Sequence, residues 1–348
     1  MNDRSKKFVK EKLKQYYEKK GVTAPENVSQ REFGFGDVKK IDYRHASFKN
    51  ERELSQYFAE HAPLYASFSA ACYEFPDARP MQKKNVLSSD LAFEFDIECD
   101  HGKLACTECL EKMKYETKRL IEEFLMPDFG FSRKDIKISF SGSRGYHIYV
   151  TSKSAQNLDS TARREIIDYI QANGLDINRM IKKRAPPASG GWQGRLARAA
   201  RDFVKTTDKK AIASRREEIL KAIDAGNYDL FPGAHTFWEK HLQEQKVHMN
   251  ADIDQSVTLD TSRLMRLPST IHSGSSLMCR WVYDIDRFNP FRDAVVFYNA
   301  PVKIKMNADV REFALNEQTH GPFKAGQEFS APEYAAMFLI CKGAAEIA

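Results

Sequence analysis

The sequence predicts an α/β (α+β) fold, a mixed-sheet core split by a mostly helical insertion. Three observations carry that expectation. Residues 91–98 alternate apolar and acidic side chains with the period of a strand. Residues 136–150 read as strand, glycine turn and strand. Residues 195–245 are charged, helix-prone and rich in Arg and Lys. The core is then 1–154 with 249–348, and the insertion is 155–248.

Taken in order, residues 4–21 are expected to form a basic helix with Phe8, Leu13, Tyr16 and Tyr17 as its apolar stripe. Residues 31–35 and 41–44 read as short strands around a Gly-Asp turn, 51–62 as a helix closed by Pro63, and 65–73 as an apolar strand. The acidic strand follows at 91–98. A helix is expected from about 110 to 125, ending before Pro127, and another near 162–173, ended by Gly174. The Pro- and Gly-rich stretch 185–191 is a loop by composition. Strand character returns at 257–259, 263–273 and 277–283. No functional reading beyond packing attaches to the residues after about 300.

With 348 residues and 42% hydrophobic content, the chain is long enough to bury one large core or two. The net charge of +6 suits a polyanionic partner without requiring one. No apolar run approaches 18 residues and the N-terminus lacks the apolar segment of a secretory signal, so a soluble intracellular protein is expected, with no membrane partner.

Four stretches carry candidate chemistry. On the strand at 91–98, Leu91, Phe93, Phe95 and Ile97 point one way and Glu94, Asp96 and Glu98 the other. The acidic set suits a hard cation such as Mg²⁺ or Mn²⁺, although a solvated edge strand would show the same pattern. Cys99-x-His101-x4-Cys106-x2-Cys109 supplies three thiolates and an imidazole, the full ligand set of a structural Zn²⁺ in a knuckle at 99–109. The other cysteines, Cys72, Cys279 and Cys341, are scattered and read as reduced core thiols. The turn Ser141-Gly142-Ser143-Arg144-Gly145-Tyr146-His147 combines flexible backbone with a hydroxyl, a guanidinium and an imidazole. That set suits phosphate, and a plain hairpin explains the glycines equally well. Finally, Asp254 precedes by eighteen residues a histidine in Arg266-Leu267-Pro268-Ser269-Thr270-Ile271-His272. These residues suit a nucleoside triphosphate, and a satisfied core histidine is the equal alternative.

In this order the motifs resemble the catalytic small subunit of archaeal and eukaryotic DNA primase, within the primase-polymerase superfamily. The likeness runs from about 31 to 295 and includes Arg31-Glu32-Phe33-Gly34-Phe35, Tyr43-Arg44 and Phe288-Asn289-Pro290-Phe291. It implies template-directed nucleotidyl transfer by two metal ions, making short primers on single-stranded DNA for replication. Asp96, Glu98 and Asp254 would hold Mg²⁺ or Mn²⁺, with Asp254 preferred over Asp252 and Asp260 by its spacing from His272. Ser141, Arg144, His147, Arg266 and His272 would grip the triphosphate of the incoming nucleotide, with Arg44 a weaker contact. Zn²⁺ on Cys99, His101, Cys106 and Cys109 would be structural.

The implied partners are template DNA, nucleoside triphosphates and a large iron–sulfur subunit in a heterodimer. Two departures from the family pattern stand out: Glu98 where Asp is usual, and Ser143 where some relatives carry a second arginine. The competing readings are an end-joining repair primase-polymerase and a non-catalytic, zinc-dependent nucleic-acid-binding module.

Overall fold

A computed structural model describes residues 1–99, 104–182, 184–230, 232–249, 251 and 253–348, the side chains of 246–248 excepted. The chain forms two compact units. The first comprises Met1–Thr117, Lys134–Ser160 and Asp254–Ala348, and the second Lys118–Arg133 and Thr161–Ile253. Among the described residues no helix is long and apolar enough to cross a membrane.

In the first unit, helix α1 (Asp3–Lys20) starts where the Asn2 side chain accepts the Ser5 N–H and ends at Gly21, whose φ of 66° a side chain would resist. Val9, Leu13 and Tyr17 recur every fourth residue and form the buried stripe, with Phe8 and Tyr16 half-buried beside it. Helix α2 (Glu51–His61), capped by Asn50, packs on α1. Aromatic pairs join the two helices to each other, α2 to strand β1 (Arg31–Gly36), and β1 to Phe48, just past strand β2 (Tyr43–Ala46). Tyr17 meets Phe58 at 4.9 Å between ring centres, Phe35 meets Tyr57 at 4.5 Å, and Phe33 meets Phe48 at 5.1 Å.

Strands β3 (Tyr65–Tyr73) and β4 (Val86–Ser89) extend this sheet in the order β2-β1-β3-β4. Strand β5 (Leu91–Phe95) opens a second sheet with β6 (Ile136–Phe140) and β7 (Tyr146–Val150). The later strands β8 (Leu264–Arg266) and β9 (Arg280–Val282) complete the two sheets. β8 pairs with β3, and the second sheet runs β5-β7-β6-β9. A third sheet, β13-β10-β14, is built from β10 (Pro301–Met306), β13 (Glu328–Pro332) and β14 (Ala345–Ile347). Between β10 and β13 in sequence lies the hairpin of β11 (Phe313–Leu315) and β12 (Gln318–His320). The apolar run expected only to pack is the helix Glu333–Cys341, buried on nearly every side.

All named strand pairs are antiparallel, so the α+β character stands without the parallel pairs of a mixed sheet. The strand expected at 257–259 is instead part of a short helix, Gln255–Leu259. Val and Thr favour strands in general, but Asp254 takes the N-cap position and accepts the Ser256 N–H.

The second unit is helical. Its core gathers Ile177, Ile181, Leu196, Val204, Ile219, Ile223 and Trp238 from several helices. Buried Arg195 stacks 3.9 Å above the Phe124 ring and pairs with Asp128 at 2.7 Å.

Candidate active site

The site is built around the end of β5. Across the antiparallel register Glu94 faces His147 and Phe95 faces Tyr146. Directly opposed side chains share a face, and His147 Nε2 stands 3.5 Å from Glu94 Oε1. Burial works against the Glu94 charge, but His147, Arg263 and Lys40 together outweigh it and hold the carboxyl below its ordinary range. His147 is buried and its Nδ1 has no hydrogen-bond partner among the described residues. The acidic alternation had shown Glu94, but its role as the partner of His147 depends on β7 and was invisible before pairing.

Strand β5 stops at Phe95, short of the expected 98. Its neighbour β7 begins at Tyr146, the partner of Phe95, so among the described residues no strand remains to pair with Asp96 and its successors. Asp96 and Glu98 therefore leave the sheet as exposed residues and do not alternate on a strand face. Oδ1 of Asp96 accepts the Ile97 N–H at 2.9 Å. Crowding by protein atoms pushes the Asp96 pKa up, opposed by that bond and by Arg144.

Two glycines lock the motifs together. Gly145 lies so close to the Phe95 carbonyl that a Cβ would overlap it. Gly142, with φ of 83°, faces His272: a Cβ there would lie 2.7 Å from the His272 Cβ. The Ser275 hydroxyl donates to the Gly142 carbonyl. The small residues expected to admit a ligand thus admit neighbouring backbone, and so bring the second motif against the first and third. The Ser141 hydroxyl shapes this turn by accepting the N–H groups of Ser143 (3.4 Å) and Gly145 (3.2 Å). Arg144 is half-buried and has no ion-pair partner among the described residues.

The third carboxylate is carried to the same place by the open edge of β5. Thr258 Oγ1 donates to the Ala92 carbonyl at 2.8 Å and the Asp254 N–H to the Glu94 carbonyl at 3.3 Å. Asp254 Oδ1 accepts from the Ser256 N–H and hydroxyl at 2.9 and 2.6 Å, and Oδ2 stands 3.5 Å from Arg263. Asp260 makes the same turn with Ser262. Asp252 lies outside the described residues.

Strand β8 places Arg266 opposite Ser67 of β3, over the Tyr65 ring at 5.7 Å, with Nη1 buried and without a hydrogen-bond partner among the described residues. His272 Nδ1 accepts the Gly274 N–H at 3.0 Å. Burial, then the charges of Arg266, Lys342 and Lys40, push the His272 pKa well below the ordinary histidine value. The neutral ring consequently carries its proton on Nε2, as a donor.

Arg44, expected as a weaker nucleotide contact, has protein partners in the fold. Its guanidinium is taken by the fully buried Glu32, at 2.7 Å to Oε1 and 3.1 Å to Oε2, and by the Ser262 carbonyl at 3.0 Å. Glu32 also faces buried Lys84 at 3.6 Å and receives the His45 N–H at 3.1 Å. Arg44 is thereby a strut between β1, β2 and the loop before β8.

Cys99, Cys106 and Cys109 bring their sulfurs within 4.8 Å of one another and can hold a metal ion. Tetrahedral Zn²⁺ with bonds of about 2.3 Å needs sulfurs roughly 3.8 Å apart, which this spread accommodates. Cys109 lies in the first turn of helix α3 (Thr107–Arg119), which begins just after Cys106, so the helix start fixes two ligands. Burial and then the neighbouring thiols push the Cys109 thiol up to about 12, a proton that metal binding would displace. The expected fourth ligand, His101, lies outside the described residues. Among the described residues no comparable cluster forms from Asp96, Glu98 and Asp254, which stand wider than the cysteines.

A family model for the DNA primase small subunit matches residues 95–283, from the end of β5 through β9. The chain is 32% identical to the DNA primase small subunit PriS of Methanothrix thermoacetophila, with all of both chains covered. It is also 32% identical to that of Methanocella arvoryzae and 31% to that of Methanococcoides burtonii, each over 99% of both chains. The junction of β5, the glycine turn and the His272 loop thus lies within a chain that belongs to the DNA primase small subunit family.

Proposed function

We propose that this chain is the catalytic subunit of a DNA primase, joining nucleotides on a single-stranded DNA template to make short primers for replication. The observation that carries the reading is the double glycine contact, Gly145 on Phe95 and Gly142 on His272, which gathers three separated motifs at one place.

Asp96, Glu98 and Asp254 are the carboxylates offered to Mg²⁺ or Mn²⁺. Hard cations prefer such ligands. Bound there, the ions would lower the pKa of the attacking 3′-hydroxyl and neutralise charge on the departing pyrophosphate. Asp254 reaches this role by exchanging its Ser256 and Arg263 partners for a cation, a small side-chain rotation on a helix pinned to β5. Glu98 is one methylene longer than the usual aspartate and leaves the strand end on exposed chain, which gives it reach.

The remaining residues bind and orient the nucleotide. Among the described residues Arg144 has no carboxylate partner, and Arg266 Nη1 and His147 Nδ1 are buried polar atoms without hydrogen-bond partners, a costly arrangement that a triphosphate would satisfy. Glu94 fixes the His147 ring through Nε2, so Nδ1 is the atom turned to the ligand. The His272 Nε2–H adds a neutral donor, and the Ser141 hydroxyl proton is free of its turn. Catalysis by such a site is positioning and charge neutralisation, without a covalent protein intermediate.

Zn²⁺ on the three cysteines and His101 would brace the loop that follows Glu98. Template DNA and nucleoside triphosphates are the substrates, and a large iron–sulfur subunit is the expected partner, in the intracellular space where DNA is copied. The test is incorporation of labelled nucleotide on unprimed and primed single-stranded DNA with Mg²⁺ or Mn²⁺, wild type beside Asp96→Ala. Products on either template that vanish in the variant support the reading. Equal products from both proteins, or none from wild type even on primed template, overturn it.

A further inference from the structure

The last turns of α1 and the segment before β10 enclose a groove of about 210 Å³. Lys12, Tyr16, Lys19 and Lys20 line it from the helix, Phe297 and Tyr298 from the segment. Glu333, the acid among the described lining residues, is buried and closed off. Lys12 stands 2.5 Å from its Oε1, and the Tyr298 N–H donates to its Oε2 at 3.3 Å. Lys19 and Lys20 are exposed, and among the described residues neither has an acidic partner. The groove is therefore cationic at neutral pH.

Tyr298 stands in this groove 56% exposed, on a backbone that is held fast. Its N–H is taken by Glu333, and its carbonyl accepts the Tyr334 N–H at 3.2 Å. The Lys19 ammonium lies 5.2 Å from the ring centre, and Phe297 packs beside Tyr16 at 6.3 Å. An aromatic face with ammonium groups alongside suits a single nucleic-acid strand in both its parts, since the strand offers flat bases to stack and phosphates to pair. An acidic peptide would use the lysines and leave the ring idle, and a duplex would keep its bases out of reach. The groove also adjoins the active-site loop. The Tyr16 hydroxyl donates to the Met278 sulfur at 3.5 Å, and the Tyr17 hydroxyl accepts the Ile271 N–H at 2.9 Å. Ile271 and Met278 bridge each other, and His272 follows directly.

We infer that the groove between α1 and Tyr298 binds single-stranded DNA, with a base stacked on the Tyr298 ring and phosphates on Lys19 and Lys20. The strand held there is template flanking the copied position, since none of the residues offered to the incoming nucleotide lines the groove. The inference rests on DNA being the substrate, as proposed above, and on no assignment of a catalytic residue. Lys19 and Lys20 also suit the C-terminal turn of a helix. That purely structural role predicts lost stability with unchanged DNA affinity.

The experiment measures binding of labelled oligo(dT) by fluorescence anisotropy over a series of salt concentrations, without nucleotide or divalent metal. Wild type is compared with Y298A, Y298F and the double variant K19Q/K20Q, each checked for folding by its melting temperature. Loss of one stacked base is expected to weaken binding about tenfold in Y298A, while Y298F keeps the ring and the affinity. In K19Q/K20Q the slope of log affinity against log salt should fall by about 1.4, for two phosphates at about 0.7 each. Wild-type affinity in folded Y298A overturns the inference, even if the lysine variant binds more weakly, because charge alone would then explain the binding. A lower melting temperature with unchanged affinity and slope in K19Q/K20Q overturns it too, in favour of the helix-end role. So does a wild type that does not bind oligo(dT). A chain that incorporates no nucleotide yet binds oligo(dT) through Tyr298 and the lysines keeps this inference and loses the catalytic reading.

Discussion

The backbone of Gly145 lies against the carbonyl of Phe95 with no space between them for a methyl group. Its φ is ordinary, so the constraint is proximity and not conformation. The contact ends β5 and sets the glycine turn beside Asp96. Gly145→Ala must therefore push the turn away from the strand. Overpacking of this kind costs about 1–3 kcal/mol. A denaturant midpoint shifted by that amount, with a KM for nucleotide raised several-fold, is the expected outcome. A variant with wild-type stability and KM would show that the turn is free to move.

Asp96 should reveal a conflict between stability and activity. Its pKa in the fold is raised, so the folded protein holds that proton more tightly than the unfolded chain. Above the ordinary aspartate range the ionised form therefore weakens the fold, and stability is regained as pH falls. Asp96→Asn removes the charge, so its melting temperature at pH 7 should equal or exceed that of wild type. Nucleotide incorporation should fall by at least about a hundredfold. A lower melting temperature would contradict the sign of the shift.

Metal analysis tests the cysteines. Cys106→Ser should lose bound zinc and lower the melting temperature, and a chelator should do the same to wild type. Retention of one zinc per chain by the variant would remove Cys106 from the ligand set.

Arg44 separates structural from substrate contacts. Glu32 is wholly buried, and Arg44→Ala leaves its carboxylate with Lys84 as the remaining cation. Because Arg44 itself is partly exposed, the expected loss is about 1–3 kcal/mol, less than for a fully buried pair. Unfolding by urea should show that loss while the KM for nucleotide changes little. The opposite split would return Arg44 to the nucleotide.

The pH dependence of stability should carry the mark of His272. Its folded pKa lies below the unfolded value of about 6.5. Between the two, the unfolded chain takes up a proton that the fold refuses, so stability is intact above the ordinary value and falls as the pH drops through it. A melting curve series from pH 8 to 5 should show this slope, and His272→Asn should flatten it. Some slope should persist from His45, His241 and His320, which are also pushed down by burial. An identical slope in the variant would mean His272 is solvated.

Much of this was legible because periodic patterns survive folding. The stripe of α1, the strand at Tyr65–Tyr73 and the pair flanking Gly142 and Gly145 all followed from spacing. The three carboxylates were named by alternation and by likeness to a family, yet their setting was not visible. That β5 would stop at Phe95 depends on where β7 starts, and that Asp254 would cap a helix depends on Ser256 and on the open edge of β5. That Arg44 would pair with Glu32 depends on β1 meeting β2, which no single stretch of sequence displays.

Strand β3 illustrates what such a topology asks of the growing chain. One edge of β3 is covered early, by β1. Its other edge is shared: Ala71–Tyr73 pair with β4, while Ser67–Ser69 wait for Leu264–Arg266. The whole helical unit is translated before those residues leave the ribosome. Throughout that interval a nascent chain presents half an unpaired strand, and closing it is a long-range, slow event. Nascent chains arrested before residue 264 should therefore engage chaperones, and release past residue 266 should end that engagement as Arg266 arrives with its strand.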